Sequence, residues 1–135
     1  MTVDNPVSKI LREWGSFHSA LLALSADNAK LPASVEGLSG ALSAFFAAEY
    51  VRARKYDALR SMQYGEKNDG LGDTIIVVQS DKDAAEMYTD LQTIAGESAE
   101  VYIFQWWGTV PYRPVAKGAK IFAERAGILS CLARS

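Results

Sequence analysis

One cysteine, one histidine and four prolines stand in 135 residues, and no charge of either sign dominates. Each scarcity removes a class of protein. With Cys131 alone, there is no disulfide framework and no cysteine-built zinc site, which suits a reducing cytoplasm. His18 stands by itself in a helical pattern without ligand spacing, and reads as a solvated or hydrogen-bonded side chain rather than a catalyst. No stretch approaches the roughly 18 apolar residues of a membrane span. The start, "MTVDNPVSKILREW", lacks a basic region leading into an apolar core and does not read as a secretion signal. Lys and Arg number 14 against 16 Asp and Glu, and the net charge of −2 argues against a strongly basic nucleic-acid face. Internal repeats and low-complexity tracts are missing too. What remains is a chain with 49% hydrophobic and 22% charged residues, the composition of one soluble intracellular domain with a core of its own.

Along the chain, Asn5-Pro6 opens a helical pattern in which Val7, Ile10, Leu11, Trp14, Phe17, Leu21, Leu22 and Leu24 recur at three-four spacing. "SADNAKLPAS" ends it. "SVEGL" has the length of a short strand, and an alanine-rich helix begins near Ala41 and turns polar through "VRARKYDALRSMQYGEKN". After the turn cluster "DGLGD", the β-branched run "TIIVVQS" suits a central parallel strand covered on both faces. Ser80 and Asp81 are placed to cap the helix "DKDAAEMYTDLQTIAG", which Gly96 ends. "AEVYIFQWW" reads as a second long strand, "GTVPYRP" as a loop and "VAKGAKIFAERAGILSCLA" as a closing helix, with Cys131 as a small core residue. Strands alternating with helices predict an α/β fold: a three-layer parallel sheet flanked by helices, with an extra N-terminal helix. The division expected is an N-terminal helix and linker over 1–33 and an α/β unit over 34–135.

Two stretches carry chemistry. "VEGLSGALSAFF" has the outline of a phosphate-gripping loop, with Gly37, Ser39, Gly40 and Ala41 at the turn. A working loop needs a lysine and a metal-binding hydroxyl where this chain has Ser43 and Ala44. A glycine turn packing helix on strand is therefore the favoured reading, and a weak anion site at the helix start the other. "FQWWGTVPYRP" lies beyond a strand end, where ligands of open α/β sheets bind. Its aromatics either stack on bases or cover the sheet end, and the acidic pI favours covering. Glu124-Arg125 is a surface pair or an anchor for that loop. Arg52, Arg54, Lys55 and Arg60 on one long helix read as a solvated face rather than a DNA contact. Nucleophile, base and orienter are not assembled anywhere.

Leu38-Ser39-Gly40-Ala41, Ala85 with Asp90-Leu91, Phe104 with Trp107-Gly108-Thr109-Val110-Pro111-Tyr112, and Glu124-Arg125 together follow a known pattern. It resembles the N-terminal, UvrB-like region of bacterial transcription-repair coupling factors, the Mfd family, over about residues 35–132. The resemblance implies a RecA-like P-loop NTPase fold, the degenerate half of a UvrB-type motor domain. In that region the lysine and hydroxyl are lost, so it implies a vestigial loop (Gly37, Ser39, Gly40, Ala41, Ser43, Ala44) and no ATP hydrolysis. Trp107, Gly108, Thr109, Pro111 and Tyr112 form the family's aromatic loop, although Gly108 replaces the usual acidic residue. Only "RPVAKGAK" separates Tyr112 from the last helix, too short for the DNA-probing hairpin of UvrB itself. The connection over 54–73 is longer than usual and extends the preceding helix.

The expectation is a noncatalytic scaffold cut from a longer protein, with no catalytic residue, metal or cofactor of its own. ATP and magnesium belong to the parent's translocase. By the same resemblance the partners of the full protein are its other domains, UvrA, RNA polymerase and double-stranded DNA, with no membrane. Two alternatives stand beside it: an ATP-binding motor half of a UvrB-type helicase, and an unrelated α/β module gripping a small ligand near 106–113.

Overall fold

The computed structural model describes residues 5–26, 29–63, 73–96, 100–106 and 119–133, the side chains of 57–63 and 119 excepted. They form five helices: α1 (Pro6–Glu13), α2 (Gly15–Ser25), α3 (Ala41–Gln63), α4 (Asp81–Ala95) and α5 (Ala119–Leu132). The parallel sheet expected from the sequence is not there: among the described residues no strand is paired, and the fold is helical.

The reason lies in what a strand requires. A β-branched run supplies local preference, while the ladder of hydrogen bonds must come from a distant segment. Residues 74–78, expected to be buried on both faces, have no regular structure and lie mostly exposed, with Ile75 83% and Val77 89% exposed. Residues 101–106 have no regular structure either, and Phe104 and Gln105 make contact with Arg125 of α5. "SVEGL" has no regular structure and packs Val35 and Leu38 on the core. The RecA-like, three-layer architecture is thereby overturned for the described residues.

Local chemistry explains where the helices begin and end. The Asn5 side chain accepts the Val7 N–H at 2.9 Å, and Pro6, which has no N–H to leave unpaired, occupies the first helical turn. The single apolar pattern of the N-terminus is two helices, because Trp14 leaves helical geometry (φ −75°, ψ 109°). Trp14 closes α1 with its N–H on the Ile10 and Leu11 carbonyls and starts α2 with its own carbonyl, which accepts from His18. α2 ends at Ser25 because Ala26 leaves helical geometry (φ −64°, ψ 143°), its N–H still reaching the Leu22 carbonyl. In α4, the Ser80 hydroxyl accepts the Asp83 N–H as an N-cap and donates to the Asp83 carboxylate. Gly96 (φ 64°, ψ −165°) takes a positive-φ conformation that suits glycine, ends α4 and returns its N–H to the Gln92 carbonyl.

The core sits where α2 crosses the first half of α3. Phe17 and Leu21 of α2 and Phe46 of α3 are its buried centre, and Leu11, Leu24, Leu42 and Tyr50 close around it. Phe17 and Phe46 meet edge to face, with ring centroids 5.3 Å apart and an interplanar angle of 77°, the arrangement that the ring quadrupoles favour. Trp14 stacks on the outer side of Phe17 at 6.4 Å. The 23 residues of α3 span roughly 34 Å at the α-helical rise, and α3 makes its broadest contact with α4.

Candidate functional site

The loop before α3 is the stretch the sequence marks most clearly. Gly37 (φ 84°) and Gly40 (φ 55°) both adopt left-handed backbone, which any residue with a Cβ resists. Between them Leu38 turns inward onto the core while Ser39 stays outside. The Ser39 carbonyl accepts the Leu42 N–H at 3.2 Å, and the Gly40 carbonyl accepts the Ser43 N–H at 3.3 Å. Ala41, exposed, is the first residue of α3.

What happens at 43 and 44 decides the chemistry of the loop. The Ser43 hydroxyl donates to the Gly40 carbonyl at 2.8 Å, back across the turn. Ala44 is fully buried, 0% exposed. The loop thus brings Gly37, Ser39, Gly40, Ala41, Ser43 and Ala44 together as a helix-starting turn in which Ser43 is engaged within the turn and Ala44 in the interior, while Ser39 and Ala41 face outward. No cationic side chain belongs to this set, and a triphosphate would meet backbone N–H groups and the exposed Ser39 hydroxyl there, without a lysine.

The second marked stretch divides. Trp107, Gly108, Thr109, Pro111 and Tyr112 lie outside the described residues. Phe104 and Gln105, just before them, are held by α5: the Arg125 guanidinium stacks over the Phe104 ring, 3.7 Å from its centroid, and its Nη1 donates to the Gln105 carbonyl. Of the two readings of Glu124-Arg125, Arg125 follows the anchoring one at the entry to that stretch. Glu124 lies 3.8 Å from Lys120, one turn earlier on the same helix.

Tyr102 lies beside Cys131 near the end of α5 and within 3.4 Å of the Glu100 carboxylate. With 102 beside 131 and 104–105 beside 125, the segment runs antiparallel to α5. The Cys131 side chain, through a hydrogen bond and its charge, raises the Tyr102 phenol above its ordinary value of 10.0, and the charge of Glu100 adds to this. Cys131 is exposed, not the core residue expected, because α5 has apolar residues on several faces and only contact decides which face is inside. His18 is exposed on α2.

A further constellation escaped the sequence reading. Glu49, at 3% exposure, lies on the buried side of α3 between two arginines. Its Oε2 is 3.6 Å from Arg12 Nε of α1, and its Oε1 is 3.4 Å from Arg52 Nη1, three residues on. The Arg52 pairing is one of charge: Oε1 accepts no hydrogen bond. Ser8 of α1 is also fully buried, and its hydroxyl has no hydrogen-bond partner among the described residues. Arg12 Nε donates to the Ser8 carbonyl at 3.2 Å, which brings the two α1 residues into one cluster with Glu49. The signal for Glu49 is its register: it falls three residues after Phe46 and seven after Leu42, on the stripe that packs inward. Arg52 is thereby drawn out of the solvated basic face, while Arg54 and Lys55 are exposed and the Arg60 side chain lies outside the described set.

Elsewhere, a hollow of 510 Å³ opens beside α2, with Ala20, Ala23, Leu24 and Val35 among its lining and Lys30 and Glu36 as its charged members. Among the described residues, no three His, Cys, Asp or Glu side chains group closely enough to hold a metal ion, and no helix is long and apolar enough to cross a membrane. In comparison with known proteins, no family model, no curated protein and no solved structure matches this chain.

Proposed function

We propose that this chain is a noncatalytic packing module of a bacterial transcription-repair coupling factor, acting in the cytoplasm as part of a longer protein. The observation that carries the noncatalytic half is the Ser43–Gly40 hydrogen bond above a buried Ala44. A phosphate loop works by aiming a lysine and a hydroxyl outward at the triphosphate and its magnesium. Here the Ser43 hydroxyl is turned back on the loop's own carbonyl and the next position is in the interior, which supports a turn that builds the fold rather than one that binds ATP.

The repair assignment rests on residues alone: 38–41, 85, 90–91, 104, 107–112 and 124–125 in the family's order. The helical architecture lends it no support. In this reading UvrA, RNA polymerase and double-stranded DNA are partners of the whole protein, and ATP with magnesium serves its separate translocase. The role of this piece is to pack against neighbouring domains.

Two experiments separate the halves of the proposal. Magnesium-ATP titrated into the chain in a calorimeter is expected to give no saturable heat, and saturable binding would overturn the noncatalytic reading. The reading frame beyond Ser135 is expected to continue into a polymerase-binding module and a translocase. A stop codon directly after Ser135 would remove the repair assignment and leave the noncatalytic one standing.

A further inference from the structure

α1 is fastened to the fold by charge more than by apolar burial. Val7 and Ile10 are exposed, and Leu11 is the α1 residue that packs against the apolar cluster. Facing inward instead are Ser8, with its unpartnered hydroxyl, and Arg12, whose guanidinium reaches the Glu49 carboxylate of α3. The other attachment is the chain itself, which passes to α2 through one non-helical residue, Trp14, followed by Gly15.

We propose that α1 is a hinged flap, turning about Trp14 and Gly15 and latched shut by the Arg12–Glu49 pair. Three features support it independently. The contacts that end α1 are its own: Asn5 caps it, and the Trp14 N–H returns to the Ile10 and Leu11 carbonyls, so the helix can move as a unit. Closure leaves two buried polar atoms, Ser8 Oγ and Glu49 Oε1, without a hydrogen bond, and both gain water when the flap opens. Glu49 also keeps Arg52 as an ionic partner whichever way α1 stands, so opening does not strand a buried charge. An open flap uncovers the Glu49 carboxylate and the side of the Phe17–Leu21–Phe46 cluster that Leu11 covers. None of this depends on the repair reading.

Amide hydrogen exchange on the whole chain tests the flap, read separately over residues 9–14, 21–26 and 45–55. In the native protein the α1 amides are expected to exchange ahead of those of α2 and α3, as a local opening. Arg12→Gln is expected to speed α1 exchange by about tenfold or more while α2 and α3 keep their rates, since it removes the ion pair that joins α1 to the buried Glu49 carboxylate. Exchange of all three segments as one unit in the native protein overturns the proposal, and so does an Arg12→Gln effect that is equal everywhere or absent. Should Arg12→Gln fail to fold, the native comparison still decides, and Glu49→Gln, which keeps the side-chain shape, supplies the second variant with the same expected pattern.

Discussion

The Ser43 hydroxyl donates to the Gly40 carbonyl at 2.8 Å across the turn that opens α3, and Ala44 behind it is sealed from solvent. Restoring the two side chains of a working phosphate loop should therefore not restore its activity. Ser43→Lys with Ala44→Thr is expected to leave magnesium-ATP binding undetectable by calorimetry. Ala44→Thr alone should cost about 1–3 kcal/mol in urea unfolding, because it forces volume and a hydroxyl into a filled interior.

Gly40 and Gly127 are expected to respond to alanine with opposite signs. No atom lies within 4 Å of where a Cβ would stand at either position, so space does not distinguish them. At Gly40 the φ of 55° makes alanine strained, and Gly40→Ala should lose about 1–2 kcal/mol. At Gly127, inside α5, alanine removes backbone freedom from the unfolded chain and should gain about 0.5–1 kcal/mol. Thermal or urea melts of the two variants check the contrast.

Truncating the centre of the core should be severe. Phe46→Ala is expected to cost about 3–5 kcal/mol, since Phe46 is 7% exposed and packs edge-on against Phe17. A double-mutant cycle with Phe17→Ala should reveal a coupling of about 0.5–1.5 kcal/mol beyond the separate losses. A cycle that closes additively would mean that the two rings do not interact in solution.

The Tyr102 phenol should titrate above 10.0, held up first by its hydrogen bond to Cys131 and then by the charges of Cys131 and Glu100. A folded value above the unfolded one means that the folded state holds the proton longer. The associated stability is fully present below the unfolded value and fades as pH rises through the folded one. Cys131→Ala should move the phenol back toward its ordinary range, as read by ultraviolet difference titration. An unchanged titration in that variant would separate the two side chains.

How much of this was legible beforehand follows the range of the forces involved. Asn5-Pro6, Ser80 and Gly96 act on backbone groups within a few residues of themselves, so the boundaries they set could be read directly. The lengthening of α3 to Gln63 was likewise written in a long polar, glycine-free stretch. The sheet was not legible, because "TIIVV" states a preference while the partner that would satisfy it is not local. Trp14 looked like one more apolar position in a helical stripe, and only its backbone geometry reveals the break. At the loop, the losses at 43 and 44 were plain from the letters, whereas the inward turn of the hydroxyl required coordinates. Glu49 is a charge in a helix rich in alanine and polar residues, and only its register with Leu42 and Phe46 points it inward.

The uncovered run at 74–78 has a consequence for handling the protein. Two isoleucines and two valines without proline, glycine or charge form the kind of segment that stacks into cross-β zippers when identical copies meet. Asp73 before it and Asp81 and Asp83 after it are natural gatekeepers, since repeated stacking would bring like charges into register. Acidifying a concentrated solution far enough to protonate those carboxylates should therefore turn a clear preparation cloudy, and replacing Val77, the most exposed of the four, with lysine should keep it clear.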